Sequence, residues 1–421
     1  MDANWPDGDS AAAMADVSIV MPCLNEVQCL PHCIAQAQEA LASIAANLGL
    51  KGEVLIADNG STDGSQALAQ RLRARVVAVP ERGYGAALRG GFTAAQGRFL
   101  VMGDADGSYD FRDAEPMIAA LMQGADVCMG SRFKGGIRPG AMPWKNRYIG
   151  NPVLTGILNL LFKTGASDAH CGLRALTRAS FDRLRLTGSG MEFASEMVIK
   201  AALKGETIAE TPAKLHPDLR DRPPHLRPWR DGWRHLRYLF MLSPSWLFGV
   251  PAAVVGTASL AILMIASVYA MLRPGQLITF GNYWVVLAAA MVGVSQIAAI
   301  LALASHLYGV REGYRRHTVW SASLARWLSL ETMLLSGIGF VLMGVAILVA
   351  VVVSWTDRNF HLTYSVLPPV VGTLLMTLGV QNVLGGFILA IVAGNEAKFL
   401  NSAPATVETT EPVPAAAAKA A

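Results

Sequence analysis

Between residues 17 and 130, short runs rich in β-branched residues alternate with longer runs whose apolar positions recur at helical spacing. VSIVMP (17–22), EVLIAD (53–58), RVVAV (75–79), RFLVMGD (98–104) and ADVCMG (125–130) read as strands, and the stretches 26–46, 64–72, 86–95 and 112–122 read as helices. This alternation predicts an α/β fold with a parallel sheet covered on both faces. Ligands of such sheets bind outside the carboxyl ends of the strands, so functional residues are expected just after each strand.

Beyond residue 245 the pattern changes. Four apolar stretches, about 246–272, 283–309, 332–354 and 366–394, each reach the roughly 20 residues that cross a hydrocarbon layer. Ahead of them, in WRDGWRHLRYLFMLS (229–243), Trp229, Trp233, Leu236 and Phe240 share a helical face with Arg230, Arg234 and Arg237 beside them. That is the pattern of an amphipathic helix lying in a membrane interface. A further run, PVLTGILNLLF (152–162), is apolar on most faces, and a core helix and a second amphipathic element at the bilayer fit it equally. The organisation expected is a disordered N-terminus (1–16), an α/β domain (17–228), an interfacial helix (229–243), a four-span membrane domain (246–394) and a disordered Ala-rich tail (395–421).

Composition supports two unlike halves. Of 421 residues, 52% are apolar and only 16% charged, against a norm of about 25%. Residues 17–237 carry charge at ordinary density, whereas Tyr238 to Leu272 carry none. An ordinary soluble enzyme and a disordered chain are thereby excluded, and a net charge of +4 spread along the chain argues against a nucleic-acid partner. Arg311, Arg315, Arg316 and Arg326 lie between spans two and three, and Arg220, Arg222, Arg227, Arg230, Arg234 and Arg237 precede span one, while the other loops offer Arg273 and Arg358 alone. The positive-inside rule therefore places the α/β domain and both termini on the cytoplasmic side of the inner membrane. No apolar segment of a secretory signal precedes the first strand. Cys23, Cys29, Cys33, Cys128 and Cys171 form no CxxC pair and read as buried or idle thiols in a reducing compartment. Cys29 and Cys33 have helical spacing without a second ligand pair, which argues against zinc.

The candidate chemistry sits at three strand ends. Pro22-Cys23-Leu24-Asn25-Glu26 follows the first strand, Asp58-Asn59-Gly60-Ser61-Thr62-Asp63-Gly64 the second, and Gly103-Asp104-Ala105-Asp106-Gly107 the fourth. Asp104 and Asp106 can share one hard divalent cation, Mg²⁺ or Mn²⁺, which in turn holds a diphosphate. An isolated DxD is more often a turn or cap, but three acidic strand ends in register favour a ligand site. A dinucleotide fingerprint is absent, since Gly83-Tyr84-Gly85 lacks the third glycine and follows the third strand.

VSIVMPCLNE, ADNGSTDGS, ERGYGAAL and GDADGSYD, in this order, resemble the inverting family-2 glycosyltransferases of GT-A fold, a Rossmann-like, mostly parallel sheet. The nearest resemblance is to the dolichol-phosphate mannosyltransferase and bacterial polyprenyl-phosphate glycosyltransferase branch. It spans roughly residues 17–240 and continues through GSRFKGG, DAHCGLRAL, MEFASEM and LHPDLRDRPPHLRPWRDGWRHLR. It implies that Pro22, Leu24, Glu26 and Asp58 hold the nucleotide base and ribose, with Asp58 accepting from a base N–H. It likewise implies that Asp104 and Asp106 bind the metal that bridges the donor diphosphate. Arg132 and Arg174 match basic residues near the acceptor phosphate or the leaving diphosphate. Asp168 matches a carboxylate near the reacting centre, for which an ion pair with Arg174 is the plainer explanation. Lys214, Arg220, Arg222 and Arg227 are expected to close over the diphosphate or to be solvated juxtamembrane charge.

The expected reaction is inverting transfer of one sugar from a nucleotide-diphospho-sugar donor to a polyprenyl phosphate in the bilayer. Such an acceptor is already ionised at neutral pH and needs cations more than a general base. Association of copies through the membrane spans is compatible with this organisation. A processive polysaccharide synthase is disfavoured, because Arg326-Trp327 has Ser323 where a QxxRW motif requires glutamine. A rival of another class makes the membrane half a lipid-carrier flippase, with Gln381, Asn382 and His306 along a path; interhelical hydrogen bonds are the plainer role for such residues.

Overall fold

The computed structural model describes residues 15–220, 228–273, 281–312, 328–357 and 365–395, together with 359, 397 and 399. The side chains of 228–231, 234 and 235 also lie outside the description, so Trp229, Arg230 and Arg234 are not placed. So do Arg222, Arg227, Arg326 and Trp327, residues 1–14 of the expected disordered N-terminus, and most of the tail. The chain divides into two compact units, Met1–Ser243 and Pro244–Ala421.

The first unit is built on a seven-stranded sheet of order β3-β2-β1-β4-β6-β5-β7. Its strands are β1 (Val17–Cys23), β2 (Gly52–Asp58), β3 (Arg75–Ala78), β4 (Phe99–Met102), β5 (Val127–Ser131), β6 (Arg174–Thr177) and β7 (Ile208–Pro212). The pairings are parallel except at β6, which runs antiparallel to both β4 and β5. Helices α1 (Leu30–Leu48), α2 (Ser65–Arg71), α3 (Tyr84–Ala94), α4 (Ala114–Met122), α5 (Arg132–Gly135), α6 (Asn151–Phe162), α7 (Arg178–Leu184), α8 (Glu192–Lys204) and α9 (Pro228–Met241) follow in chain order. Alternate residues of β1 serve opposite faces: Ile19 and Met21 join the core with α1 and α4, and Val20 the core with α3 and α8. This mixed, mostly parallel sheet with helices on both faces is a GT-A fold.

Two element boundaries depart from the pattern. Helix α1 begins at Leu30, not at residue 26. Asn25 takes a positive φ of 58°, and the N–H groups of Glu26 and Val27 go to Ser65 Oγ (3.1 Å) and Asp63 Oδ2 (3.0 Å). The loop after β2 thus holds the loop after β1. Strand β4 stops at Met102; at Gly103, whose N–H still reaches the Val20 carbonyl (3.4 Å), the Phe111 ring packs where a Cβ would stand (2.6 Å).

Helix α6 settles the open question of 152–162 by dividing its faces. Thr155, Leu158 and Phe162 are buried, while Val153 and Leu160 on the opposite stripe, and Ile149 just ahead of the helix, are exposed. In α9, Leu239 is buried and Trp233 is 64% exposed.

Among its described residues the second unit holds α10 (Val250–Leu272), α11 (Gly281–Arg311), α12 (Leu330–Asp357) and α13 (Leu367–Val392), four helices long and apolar enough to cross a membrane. Helices α12 and α13 pack backbone to backbone: a Cβ at Gly337 would lie 2.7 Å from the Gly379 carbonyl, and one at Gly344 2.6 Å from that of Gly372. Asn382 accepts from Gln296 (2.6 Å) and donates to Ser336 (3.2 Å), tying three helices together, which is the plain interhelical role. At the start of the stretch expected to be a disordered tail, Phe399 is buried against Leu307, Met333 and Leu389, and the Ala397 carbonyl accepts the Leu330 N–H.

Candidate active site

The carboxyl ends of β1, β2 and β4 carry three loops that hold one another. Asp58 is buried and closes its own turn, accepting the N–H groups of Gly60 (3.0 Å) and Ser61 (3.1 Å) and the Gln66 amide (2.5 Å) on Oδ2. The Ser61 N–H also reaches Oδ1, at 3.4 Å. Pro22 lies within β1, paired with Ala57, and Leu24 is partly exposed at the rim beside it. Glu26 is buried, with Arg220 Nη1 3.3 Å from its Oε1.

Asp104 and Asp106 stand just beyond β4. Tyr84, on the first turn of α3, donates to Asp104 Oδ1 (2.9 Å). On the other side Gly172 leaves room for this carboxylate, since a Cβ there would lie 2.7 Å from Oδ2. Asp106 accepts the Ser108 N–H (2.9 Å) on Oδ1 and the Arg220 guanidinium (2.6 Å) on Oδ2. The chain beyond β7 runs along this loop: His216 N–H donates to the Ser108 carbonyl (2.9 Å) and Leu219 N–H to that of Asp106 (3.0 Å). Arg220 is thereby delivered to the acidic pair. Burial opposes its charge, but Asp218, Asp106 and Glu26 more than offset this and hold its pKa above the ordinary guanidinium value. Lys214 sits farther along, its backbone N–H on Asp113 (2.8 Å) and its side chain exposed.

Burial, and then the charge of Asp106, push the Asp104 carboxyl up to about 7, against the pull of the Tyr84 hydrogen bond, Arg220 and Arg132. A carboxyl whose folded pKa is raised costs stability that grows as pH rises from the unfolded value of 3.8 to about 7. A cation on the pair removes that cost. Tyr84→Phe deletes a hydrogen bond that favours the carboxylate, so the acid limb of Mn²⁺ binding is expected to move to higher pH. An unchanged limb in a pH titration of Mn²⁺ binding would contradict this.

Arg132 and Asp168 form the second cluster. Nε and Nη2 of Arg132 bind Asp168 Oδ2 (2.6 Å) and Oδ1 (2.7 Å) in a bidentate pair, both residues buried. The Arg132 and His170 N–H groups complete the cradle of Asp168. The partner of Asp168 is thus Arg132 and not Arg174. Arg174 is fully buried and spends its guanidinium on the carbonyls of Cys171 (2.8 Å), Ala169 (2.9 Å) and Ala194. It braces the loop before β6. Burial lowers its pKa. The five thiols are buried and pushed up by burial to about 11 or 12, in keeping with inert residues.

Tyr84 escaped the sequence reading, although it lies in ERGYGAAL. Its signal was the pair of flanking glycines, which let this turn approach another loop closely. Among the described residues no three His, Cys, Asp or Glu side chains converge as a metal cage. A pair of carboxylates beside an open edge suits instead a hard divalent ion completed by substrate phosphates and water.

Residues 18–185 match the model of glycosyl transferase family 2, and residues 303–393 match the glycosyltransferase family 2 C-terminal transmembrane region. The low-salt glycan biosynthesis hexosyltransferase Agl6 of Haloferax volcanii is 31% identical over 401 residues, 91% of this chain and 92% of that protein. A dolichyl-phosphate hexose transferase of the same organism is 28% identical over 47% of this chain and 81% of its own length. The polyprenol monophosphomannose synthase of Mycolicibacterium smegmatis is 28% identical over 46% of this chain and 75% of its own. An acidic pair and buried arginines on a GT-A sheet, joined to four apolar helices and matched along nearly its whole length by a hexosyltransferase, place this chain in glycosyltransferase family 2, as a membrane-anchored glycosyltransferase.

Proposed function

We propose that the protein transfers a single sugar from a nucleotide-diphospho-sugar to a polyprenyl phosphate, with inversion, on the cytoplasmic face of the membrane. The observation that carries this reading is the pairing of Arg220 with Asp106, next to Asp104, in a chain whose described residues also hold four apolar helices. Asp104 and Asp106 are the residues to hold Mg²⁺ or Mn²⁺, which when bound neutralises charge on the leaving diphosphate. Arg220, which pairs with Asp106 and Glu26, would be the cation to meet the same diphosphate. Arg132, held in one orientation by Asp168, adds fixed positive charge that Asp104 already feels. A phosphate acceptor brings its own negative charge, so these cations matter more than a base. Pro22, Leu24, Glu26 and Asp58 would line the nucleotide, and Lys214, with Arg222 and Arg227, the approach of the lipid phosphate.

The names of two relatives, a dolichyl-phosphate hexose transferase and a polyprenol monophosphomannose synthase, support the lipid acceptor. So does the segment leading into α6, where Lys145 lies over the Trp144 ring and Arg147 over Tyr148, ahead of the exposed Ile149 and of Val153 and Leu160 on the helix. Aromatic and apolar side chains interleaved with cations suit a headgroup layer. The arginines of the second connecting loop support the cytoplasmic side.

Membranes containing the protein, incubated with polyprenyl phosphate and a panel of radiolabelled UDP- and GDP-sugars, are expected to form one labelled lipid. Its formation should stop with EDTA and return with Mn²⁺ or Mg²⁺. Absence of labelled lipid from every donor would sink the reading.

A further inference from the structure

The loop from Thr187 to Gly190 separates two regions of the catalytic unit. One side rests on the first turn of α3: the Ser189 carbonyl accepts the Ala86 N–H (3.1 Å), and a Cβ at Gly83 or Gly85 would collide with the carbonyls of Ser189 and Gly188. Gly83 also needs its φ of 134°, which L side chains rarely adopt. Tyr84, the donor to Asp104, stands between these two glycines. The loop's other side lines a cavity of about 370 Å³ together with Glu192, Arg237, Tyr238 and Met241. Close packing therefore cannot hold the loop from that side, and its position depends on hydrogen bonds.

The Gly190 N–H goes to Glu192 Oε1 (2.8 Å) and the Thr187 carbonyl accepts from Arg89 (2.9 Å), while the bonds of Thr187 N–H, Thr187 hydroxyl and Gly188 N–H converge on one buried carboxylate. Glu196, fully buried on α8, accepts the Thr187 N–H (3.0 Å), the Thr187 hydroxyl (3.0 Å) and the Gly188 N–H (2.7 Å). Lys200, one turn on and also buried, pairs with it at 2.6 Å and donates to the Arg185 carbonyl (2.7 Å). A buried ion pair is seldom more stabilising than apolar side chains of the same size. Stability alone does not call for this one, whereas the placing of a loop does.

We propose that Glu196 is a positioning residue for the donor site: by holding Thr187 and Gly188 it fixes the loop against the α3 turn and so sets Tyr84 against Asp104. The proposal rests on the reading of Asp104 and Asp106 as metal ligands. Neither Glu196 nor Lys200 touches the reacting groups.

The test is Mn²⁺ binding to the full chain in detergent, without nucleotide, followed by electron paramagnetic resonance. Glu196→Gln keeps the side-chain shape but removes the charge and turns an amide toward N–H donors. Glu196→Gln and Tyr84→Phe are each expected to weaken Mn²⁺ binding about 10-fold, the range for groups that orient a metal ligand. The double variant should bind no more weakly than the worse single one, because both act through the same hydrogen bond. Thr187→Val, which deletes one of the bonds to Glu196, should weaken binding less and serves if Glu196→Gln does not fold. Wild-type binding by Glu196→Gln or, in its place, by Thr187→Val would overturn the proposal, as would losses that multiply in the double variant. If wild type binds Mn²⁺ and Asp106→Asn does not, only the positioning role is then at stake. If wild type binds none, the metal reading falls and the proposal with it.

Discussion

Asp106→Asn should lower sugar transfer by on the order of 10³-fold at any Mn²⁺ concentration, with the fold intact. A cation on a leaving diphosphate stabilises the transition state by several kcal/mol, and each 1.4 kcal/mol is about tenfold in rate. Asparagine still accepts the Ser108 N–H that Asp106 takes at 2.9 Å, so the loop keeps its turn. It offers no charge to a metal. On stability the change has two opposed effects: it relieves the charge that helps push Asp104 up to about 7, and it removes the ion pair with Arg220 (2.6 Å). Wild type alone should gain stability from Mn²⁺, and gain more at pH 8 than at pH 6. Thermal melts with EDTA and with Mn²⁺ at the two pH values check the sign. Transfer restored by excess metal would show that Asp106 is not a ligand.

Arg132→Ala should destabilise the catalytic unit more than any other single change at the site. It leaves the Asp168 carboxylate fully buried without its bidentate partner, and breaking a buried pair from one side costs about 3–5 kcal/mol. For a domain of this size that is a fall in Tm of roughly 10 °C. The reverse change, Asp168→Asn, should cost less, since an amide still accepts from the guanidinium. Burial opposes the Arg132 charge, but Tyr109 and Asp168 outweigh it and hold its pKa above the ordinary value, so pH cannot switch it off. The asymmetry between the two variants distinguishes a buried ion pair from a pair of solvated charges, which would tolerate either loss equally. Equal melts for the two would refute the buried-pair account.

The acidic strand ends were legible because β strands and DxD loops are local. Hydrophobic alternation locates β1, β2 and β4, and chain continuity then puts Glu26, Asp58 and Asp104 at one edge. The roles of Arg132, Arg174 and Asp168 were not legible in the same way. Two arginines matched the same kind of role, and only the packing shows that Arg132 takes the carboxylate while Arg174 takes three carbonyls. Tyr84 and Glu196 were hidden for a related reason. Tyr84 acts on a carboxylate 20 residues on, and Glu196 acts through a loop whose backbone atoms leave no mark in composition.

The sequence by itself determined the two-part character of the chain: strands and helices in alternation, then four uncharged apolar stretches long enough for a bilayer. Those follow from periodicity and length, which are properties of neighbours along the chain. It also determined the acidic pair and the family. Only the tertiary structure decided how the second half of the catalytic sheet meets the first. Strand β6, pairing Arg174 with Met102 on one side and Met129 on the other, runs against its neighbours. The loop before an antiparallel strand lies at the carboxyl edge of the parallel ones, so residues 167–173 reach the edge that holds Asp104 and Arg132. Strand direction is a choice between distant partners that compete for the same hydrogen bonds, and nothing in the local pattern of β6 records it.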